Sequence, residues 1–200
     1  MIGIIDYGLG NIKAFSNILK NLNYQYIILS EKIELEKCSK FILPGVGAFD
    51  EAVLKIKKLN YFKKLENEIL VKKKNILGIC VGMQVFLEKS EEGLNEGLNW
   101  VNGTVVKFSS NDQRIPHMGW NKLIVKNNHD ILKDISKSEF YFLHSYYCKI
   151  RNDKNICAYT NYEENFCSVF VDNNIFGIQF HPEKSHSNGI QLIKNFASIK

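Results

Sequence analysis

The pentapeptide Gly78-Ile79-Cys80-Val81-Gly82 sets a cysteine between two glycines, where the apolar run Asn75–Ile79 gives way to an amphipathic stretch. A sharp strand-to-helix turn forces its central residue into a strained backbone conformation, and small residues two places either side relieve the crowding. Such a turn exposes the Cys80 sulfur at a strand tip near a helix N-terminus, whose partial positive charge suits a nucleophilic sulfur. The competing reading is a buried cysteine with incidental glycines.

A nucleophilic thiol needs a base, and the base needs an orienting group. Of His117, His129, His144, His181 and His186, His181 stands out because Phe180-His181-Pro182-Glu183 directly follows the apolar run Ile175–Phe180. Glu183 is two residues on, and Pro182 stiffens the link by fixing its own φ. The carboxylate can then hold one ring nitrogen while the other faces sulfur, a triad in Cys-His-Glu form. A third segment, Pro44-Gly45-Val46-Gly47, also follows an apolar run, and its glycines let the backbone approach a ligand closely. Thiol attack on an amide creates an oxyanion that needs backbone N–H donors. Gly45, Val46 and Gly47, with Val81 and Gly82 just after the nucleophile, are the candidates. Taken alone, Pro-Gly-x-Gly is a turn and His-Pro-Glu a surface bend; the fold must bring them together for either to matter.

The elements that would do so are legible in the patterning. Ile2–Ile5, Tyr26–Leu29, Phe41–Leu43 and Asn75–Ile79 read as short buried strands. Helices between them are expected to about Leu22, from the Pro-Gly segment to about Lys73 with a break near Asn60, and from Cys80 to Lys89. Strands alternating with helices imply crossovers and a mostly parallel sheet covered on both faces. The second half is strand-rich: Thr104–Phe108, Trp120–Val125, Phe140–Leu143, Ala158–Tyr162, Ser168–Val171 and Ile175–Phe180, with a hairpin turn at Asp172-Asn173-Asn174 and a closing helix Asn188–Ser198. The expected fold is therefore α/β: an open, mostly parallel central sheet with helices on both faces and antiparallel strands added in the C-terminal half. In such sheets ligands sit beyond the C-terminal strand ends, where loops 6–11, 44–49 and 78–84 fall.

Composition sets the outer bounds. With 200 residues, 45% hydrophobic and 24% charged, the chain suits one domain over residues 1–200 with a sizeable core. No apolar run approaches a membrane span. The opening Met1-Ile2-Gly3-Ile4-Ile5-Asp6 meets a carboxylate too early for a secretory segment, so a cytoplasmic protein is expected. The net charge of +5 owes much to Lys55, Lys57, Lys58, Lys63, Lys64 and Lys72-Lys73-Lys74. These lysines read as solvated helix faces, and no nucleic-acid module accompanies them. The five cysteines, Cys38, Cys80, Cys148, Cys157 and Cys167, are odd in number and scattered, which argues against a disulfide framework or a zinc site. His117 and His144 lack a ligand partner at short spacing, and no metal or other cofactor is expected.

Together, Gly78-Ile79-Cys80-Val81-Gly82-Met83-Gln84 and Phe180-His181-Pro182-Glu183 resemble the class I (triad) glutamine amidotransferases. More narrowly, Ile4–Asn11, Pro44–Phe49, Pro116-His117-Met118-Gly119-Trp120-Asn121, His144-Ser145-Tyr146-Tyr147 and His181–Ser185 resemble the glutaminase subunits of imidazole glycerol phosphate synthases. The resemblance spans essentially the whole chain. It implies that Cys80 attacks the side-chain amide of L-glutamine, with His181 as acid and base and Glu183 orienting it. It further implies that Gln84, Glu92, His144, Ser145 and Tyr146 hold the substrate. The released ammonia would pass to a HisF-type (β/α)8-barrel cyclase subunit in a heterodimer, serving histidine biosynthesis, with Asn11, Met118, Trp120 and Asn121 near that partner. Val81 in place of the usual Leu, His186 after Lys184-Ser185, and Asn11-Ile12-Lys13-Ala14-Phe15 depart from the commonest pattern. They resemble a branch that feeds ammonia to surface-sugar modification with a HisF-like barrel, so two ammonia acceptors stand as alternatives.

Overall fold

The structure, a computed structural model, describes residues 1–30, 35–109, 114–135, 139–162 and 164–199. Its first half runs β1 (Ile2–Ile5), α1 (Ile12–Asn21), β2 (Tyr26–Leu29), β3 (Lys40–Gly45), α2 (Phe49–Lys57), α3 (Phe62–Glu66), β4 (Asn75–Cys80) and α4 (Val81–Gln84). The second half adds β5 (Lys89–Ser90), β6 (Gly103–Lys107), β7 (His117–Lys122), β8 (Ile124–Val125), β9 (Glu139–His144), β10 (Tyr146–Ile150), β11 (Ile156–Asn161), β12 (Asn165–Asp172), β13 (Ile175–Ile178) and α5 (His186–Ser198).

The main sheet has the order β2-β1-β3-β4-β13-β12-β10-β6-β5. Strands β2, β1, β3, β4 and β13 are mutually parallel, and β12, β10 and β6 then join antiparallel, as the sequence predicts. Side chains alternate across the parallel strands into two cores. Phe41 and Leu43 pack on one face with Ala52, Val53 and Ile56 of α2. Ile42, Leu77 and Ile79 pack on the other with Phe15 and Leu19 of α1 and Leu192 and Phe196 of α5. Burial on both faces is why these strands read as unbroken apolar runs rather than as alternating ones. Among the described residues no helix is long and apolar enough to cross a membrane.

Strand register delivers the site. Gly45 lies opposite Cys80 and Ile178 opposite Ile79, so the ends of β3, β4 and β13 meet at one edge of the sheet. The hairpin joining β12 to β13 turns at Asn173, with φ of 55°, a conformation that Asn tolerates better than most residues.

The structure departs from the expected elements at several places, β5 and the His186 start of α5 among them. The helix after Cys80 stops at Gln84 instead of Lys89. Backbone donors from a distant segment take its next carbonyls: Leu98 N reaches Val85 O at 2.8 Å and Trp100 N reaches Phe86 O at 2.9 Å. Strand β3 continues through Pro44 to Gly45 instead of stopping at Leu43, because β4 offers pairing that far. The run Trp120–Val125 is two strands with different partners, β7 pairing with β9 and β8 with β11. Finally, β10 lies outside the expected strands; Ser145 separates it from β9, and the strand is only five residues long with Lys149 among them.

Candidate active site

Cys80 is the last residue of β4, with φ 55° and ψ −115°, a backbone state that strongly favours glycine. Its neighbours show why the turn closes there. A Cβ on Gly78 would stand 2.4 Å from Gly82 O, and one on Gly82 would stand 2.2 Å from Leu43 O. At Gly45 a Cβ would come 2.5 Å from Gly82 N. The three glycines therefore let β3, β4 and the start of α4 close to backbone contact. The segment expected to supply oxyanion donors, Gly45 to Gly47, lies directly beside Val81 and Gly82. Gly47 has φ of 118°, again a glycine conformation.

His181 lies just beyond β13. Its backbone N–H donates to Tyr141 O at 2.9 Å, and its Nδ1 lies 3.0 Å from Glu183 Oε1. Both side chains are buried. Burial alone would lower the pKa of the ring; hydrogen bonds and charge from Cys80 and from Glu183 outweigh it and raise it to about 10. The imidazolium is thus held between a sulfur and a carboxylate. Glu183 Oε2 is buried with no hydrogen-bond partner among the described residues.

A cavity of about 210 Å³ opens over these groups, lined by Val46, Gly47, Cys80, Val81, Gln84, Glu92, Leu143, His144, Ser145, Tyr146, His181 and Lys184. The volume suits a ligand of amino-acid size rather than a polymer. The expected substrate-binding residues Gln84, Glu92, His144, Ser145 and Tyr146 all reach it, but several serve the protein as well. The Gln84 amide donates to Tyr146 O at 3.0 Å and to Gln179 Oε1 at 3.1 Å. Glu92 Oε2 accepts the N–H of Phe49 at 2.8 Å, placing its charge at the N-terminus of α2.

Gln179 escaped the sequence reading. It is fully buried and its Nε2 lies 3.7 Å from Cys80 Sγ. The signal was present as one amide inside the otherwise apolar run Ile175–Phe180. Lys184, three residues after His181, also lines the cavity.

The residues assigned to a partner face divide. Met118 is 67% and Trp120 46% exposed, and Trp120 stacks on His186 with ring centroids 5.1 Å apart. Asn121 instead turns back, donating to Asn161 O at 2.9 Å. Asn11 caps α1, its side chain accepting from Ala14 N at 3.3 Å. Among the described residues no group of three or more His, Cys, Asp or Glu side chains is placed to hold a metal ion.

A buried cysteine, histidine and glutamate at the C-terminal edge of a parallel sheet define a class of protein. The family model for class-I glutamine amidotransferases matches residues 3–199, and the chain belongs to that family. The imidazole glycerol phosphate synthase subunit HisH of Leptospira interrogans is 44% identical, and that of Leptospira borgpetersenii 46%, each over the full length of both chains; this chain stands in that HisH branch. Among solved structures, PurLQS from Thermotoga maritima superposes with a TM-score of 0.75 at 16% identity, covering 98% of this chain and 96% of that one, a likeness of fold.

Proposed function

We propose that the chain hydrolyses L-glutamine to L-glutamate and ammonia through Cys80, His181 and Glu183, and that Cys80 held at a glycine-like φ beneath the cavity, with His181 lining the same cavity, carries this reading. The substrate lies with its side-chain amide over the sulfur. Cys80 Sγ attacks the amide carbon beside the protonated His181 ring, which already holds the proton that the leaving nitrogen will need. The oxyanion that forms is met by backbone N–H groups: those of Val81 and Gly82, in the first turn of α4, have no partner within the helix. The Gly45–Gly47 segment supplies the facing donor.

His181 then protonates the departing nitrogen, releasing ammonia and leaving a γ-glutamyl thioester on Cys80. The same ring next takes a proton from water, which attacks the thioester, expels the sulfur and yields glutamate. Throughout, the 3.0 Å contact with Glu183 keeps the other ring nitrogen occupied and the imidazolium favoured. Gln84, Glu92 and the backbone of His144-Ser145-Tyr146 surround the amino-acid end of the substrate.

The ammonia is destined for a HisF-type (β/α)8-barrel cyclase docked at the cavity mouth. There it enters synthesis of imidazole glycerol phosphate and the aminoimidazole carboxamide ribotide of histidine biosynthesis. The relatives bear the name of a synthase subunit, which supports this partner, and the exposed Met118 and Trp120 offer it an apolar foothold.

Glutamate release by the chain mixed with the barrel cyclase tests the reading. Wild type is expected to turn over glutamine and Cys80→Ala to show none; undiminished release by the variant would overturn the assignment.

A further inference from the structure

Behind the cavity wall lies a row of side chains that the mechanism above does not use. His117 of β7 sits with Nδ1 3.1 Å from His144 Nε2, and His144 Nδ1 lies 2.8 Å from Tyr146 O. Asn121 Nδ2 approaches His117 Nε2 at 3.4 Å. The His117 ring is fixed by stacking on Tyr162, with centroids 4.0 Å apart, and on Phe142 at 4.9 Å.

The direction of each bond follows from what each atom can do. A carbonyl only accepts, so His144 must carry its hydrogen on Nδ1 to donate to Tyr146 O. Burial holds both rings neutral, lowering His144 to about 3 and His117 to about 4. A neutral ring protonated at Nδ1 has a bare Nε2, which must accept from His117 Nδ1. The bare Nε2 of His117 then accepts from the Asn121 amide. One arrangement of hydrogens satisfies the whole row.

We infer that His117 is a positioning residue for the glutaminase reaction: by donating to His144 Nε2 it fixes the ring that anchors Tyr146 O, and with it the His144-Ser145-Tyr146 wall against which glutamine binds. The inference rests on the glutaminase reading. Tyr146 O takes one further donor, Gln84 Nε2 at 3.0 Å, so this carbonyl is tied from two sides at the bend between β9 and β10. Without the His117 donor, His144 Nε2 is left unpaired in a buried site; moving the hydrogen there would set two acceptors, Nδ1 and Tyr146 O, against each other, so the ring relieves the loss only by shifting, which loosens its bond to Tyr146 O.

The test is steady-state glutaminase kinetics of the chain with its barrel cyclase, together with ¹⁵N NMR of the ring nitrogens. His117→Ala is expected to raise KM for glutamine about 10-fold while kcat stays within about 3-fold, the scale set by one buried hydrogen bond. His117→Asn, whose amide nitrogen falls near the place of Nδ1, should restore most of the KM; His117→Gln, which reaches past it, should not. The spectra of the wild-type chain should show both His117 and His144 as Nδ1–H tautomers. An unchanged KM in His117→Ala, equal defects in the Ala and Asn variants, or an Nε2–H tautomer at His144 would each overturn the inference. The wild-type spectra decide even where a variant fails to fold. If the glutaminase reading itself is wrong, wild type shows no Cys80-dependent glutamate release; if only this inference is wrong, that release persists and ignores His117.

Discussion

The Leu43 carbonyl oxygen occupies the space that a side chain at Gly82 would need, 2.2 Å from the Cβ position. Backbone faces backbone there, so neither side can yield by changing a rotamer. Gly82→Ala is therefore expected to destabilise the protein by about 2–3 kcal/mol. Because the clash separates Gly45 from the start of α4, it should also depress glutaminase turnover. Denaturant unfolding and kcat measured on the same preparation check both; a stable and fully active variant would refute the close approach.

Cys80 holds a backbone state in which a Cβ is strained, with φ 55° and ψ −115°. Replacing it separates strain from chemistry. Both Cys80→Ala and Cys80→Gly lack the sulfur, yet the glycine variant should be more stable by about 1–2 kcal/mol, against the usual cost of glycine flexibility. Thermal unfolding of the pair checks it, and an alanine variant at least as stable would show that the turn is unstrained.

Glu183→Gln keeps the size of the group that touches His181 but removes its charge. The imidazolium loses one of the two partners that raise its pKa to about 10. A fall in kcat of about 10²–10⁴-fold is expected, the range for neutralising the orienting carboxylate of a triad, with KM for glutamine little changed. A change in kcat below about 3-fold would show that other groups suffice to orient the ring.

Acid should unfold the protein by way of its buried histidines. His117 is held by burial at about 4 against an ordinary 6.5, and His144 at about 3. Between 6.5 and those values the unfolded chain binds protons that the folded chain refuses, so stability present above 6.5 is lost as pH falls. His181 acts oppositely: its folded value near 10 adds stability below 6.5 that fades as pH rises toward 10. His117→Asn removes one acid-sensitive group, and its unfolding free energy should fall by about 2–3 kcal/mol less than that of wild type between pH 7 and 4.5. Parallel curves for the two proteins would contradict the neutral, buried state of His117.

The parallel half of the sheet was readable because strands buried on both faces leave unbroken apolar runs between amphipathic helices. Cys80, His181 and Glu183 could be picked out because a strained turn and a proline-stiffened bend carry local signatures. Where reading failed, the cause lay in distant contacts. Helix α4 ends at Gln84 because Leu98 and Trp100 return to take the carbonyls of Val85 and Phe86. Strand β10 escaped because its pairing with β6 and β12 leaves no periodic trace in five residues.

The sequence by itself determined which residue types stand at strand ends, and hence that a thiol, an imidazole and a carboxylate were available where ligands bind. That information is local, since steric demands on a turn act within a few residues. Only the tertiary structure decided that Gln179 approaches the sulfur, that Asn121 turns inward while Met118 and Trp120 turn out, and that His117 stands behind His144. Those outcomes depend on strand register and on hydrogen bonds between segments far apart in the chain. A one-residue slip in register would have sent each of these side chains to the opposite face.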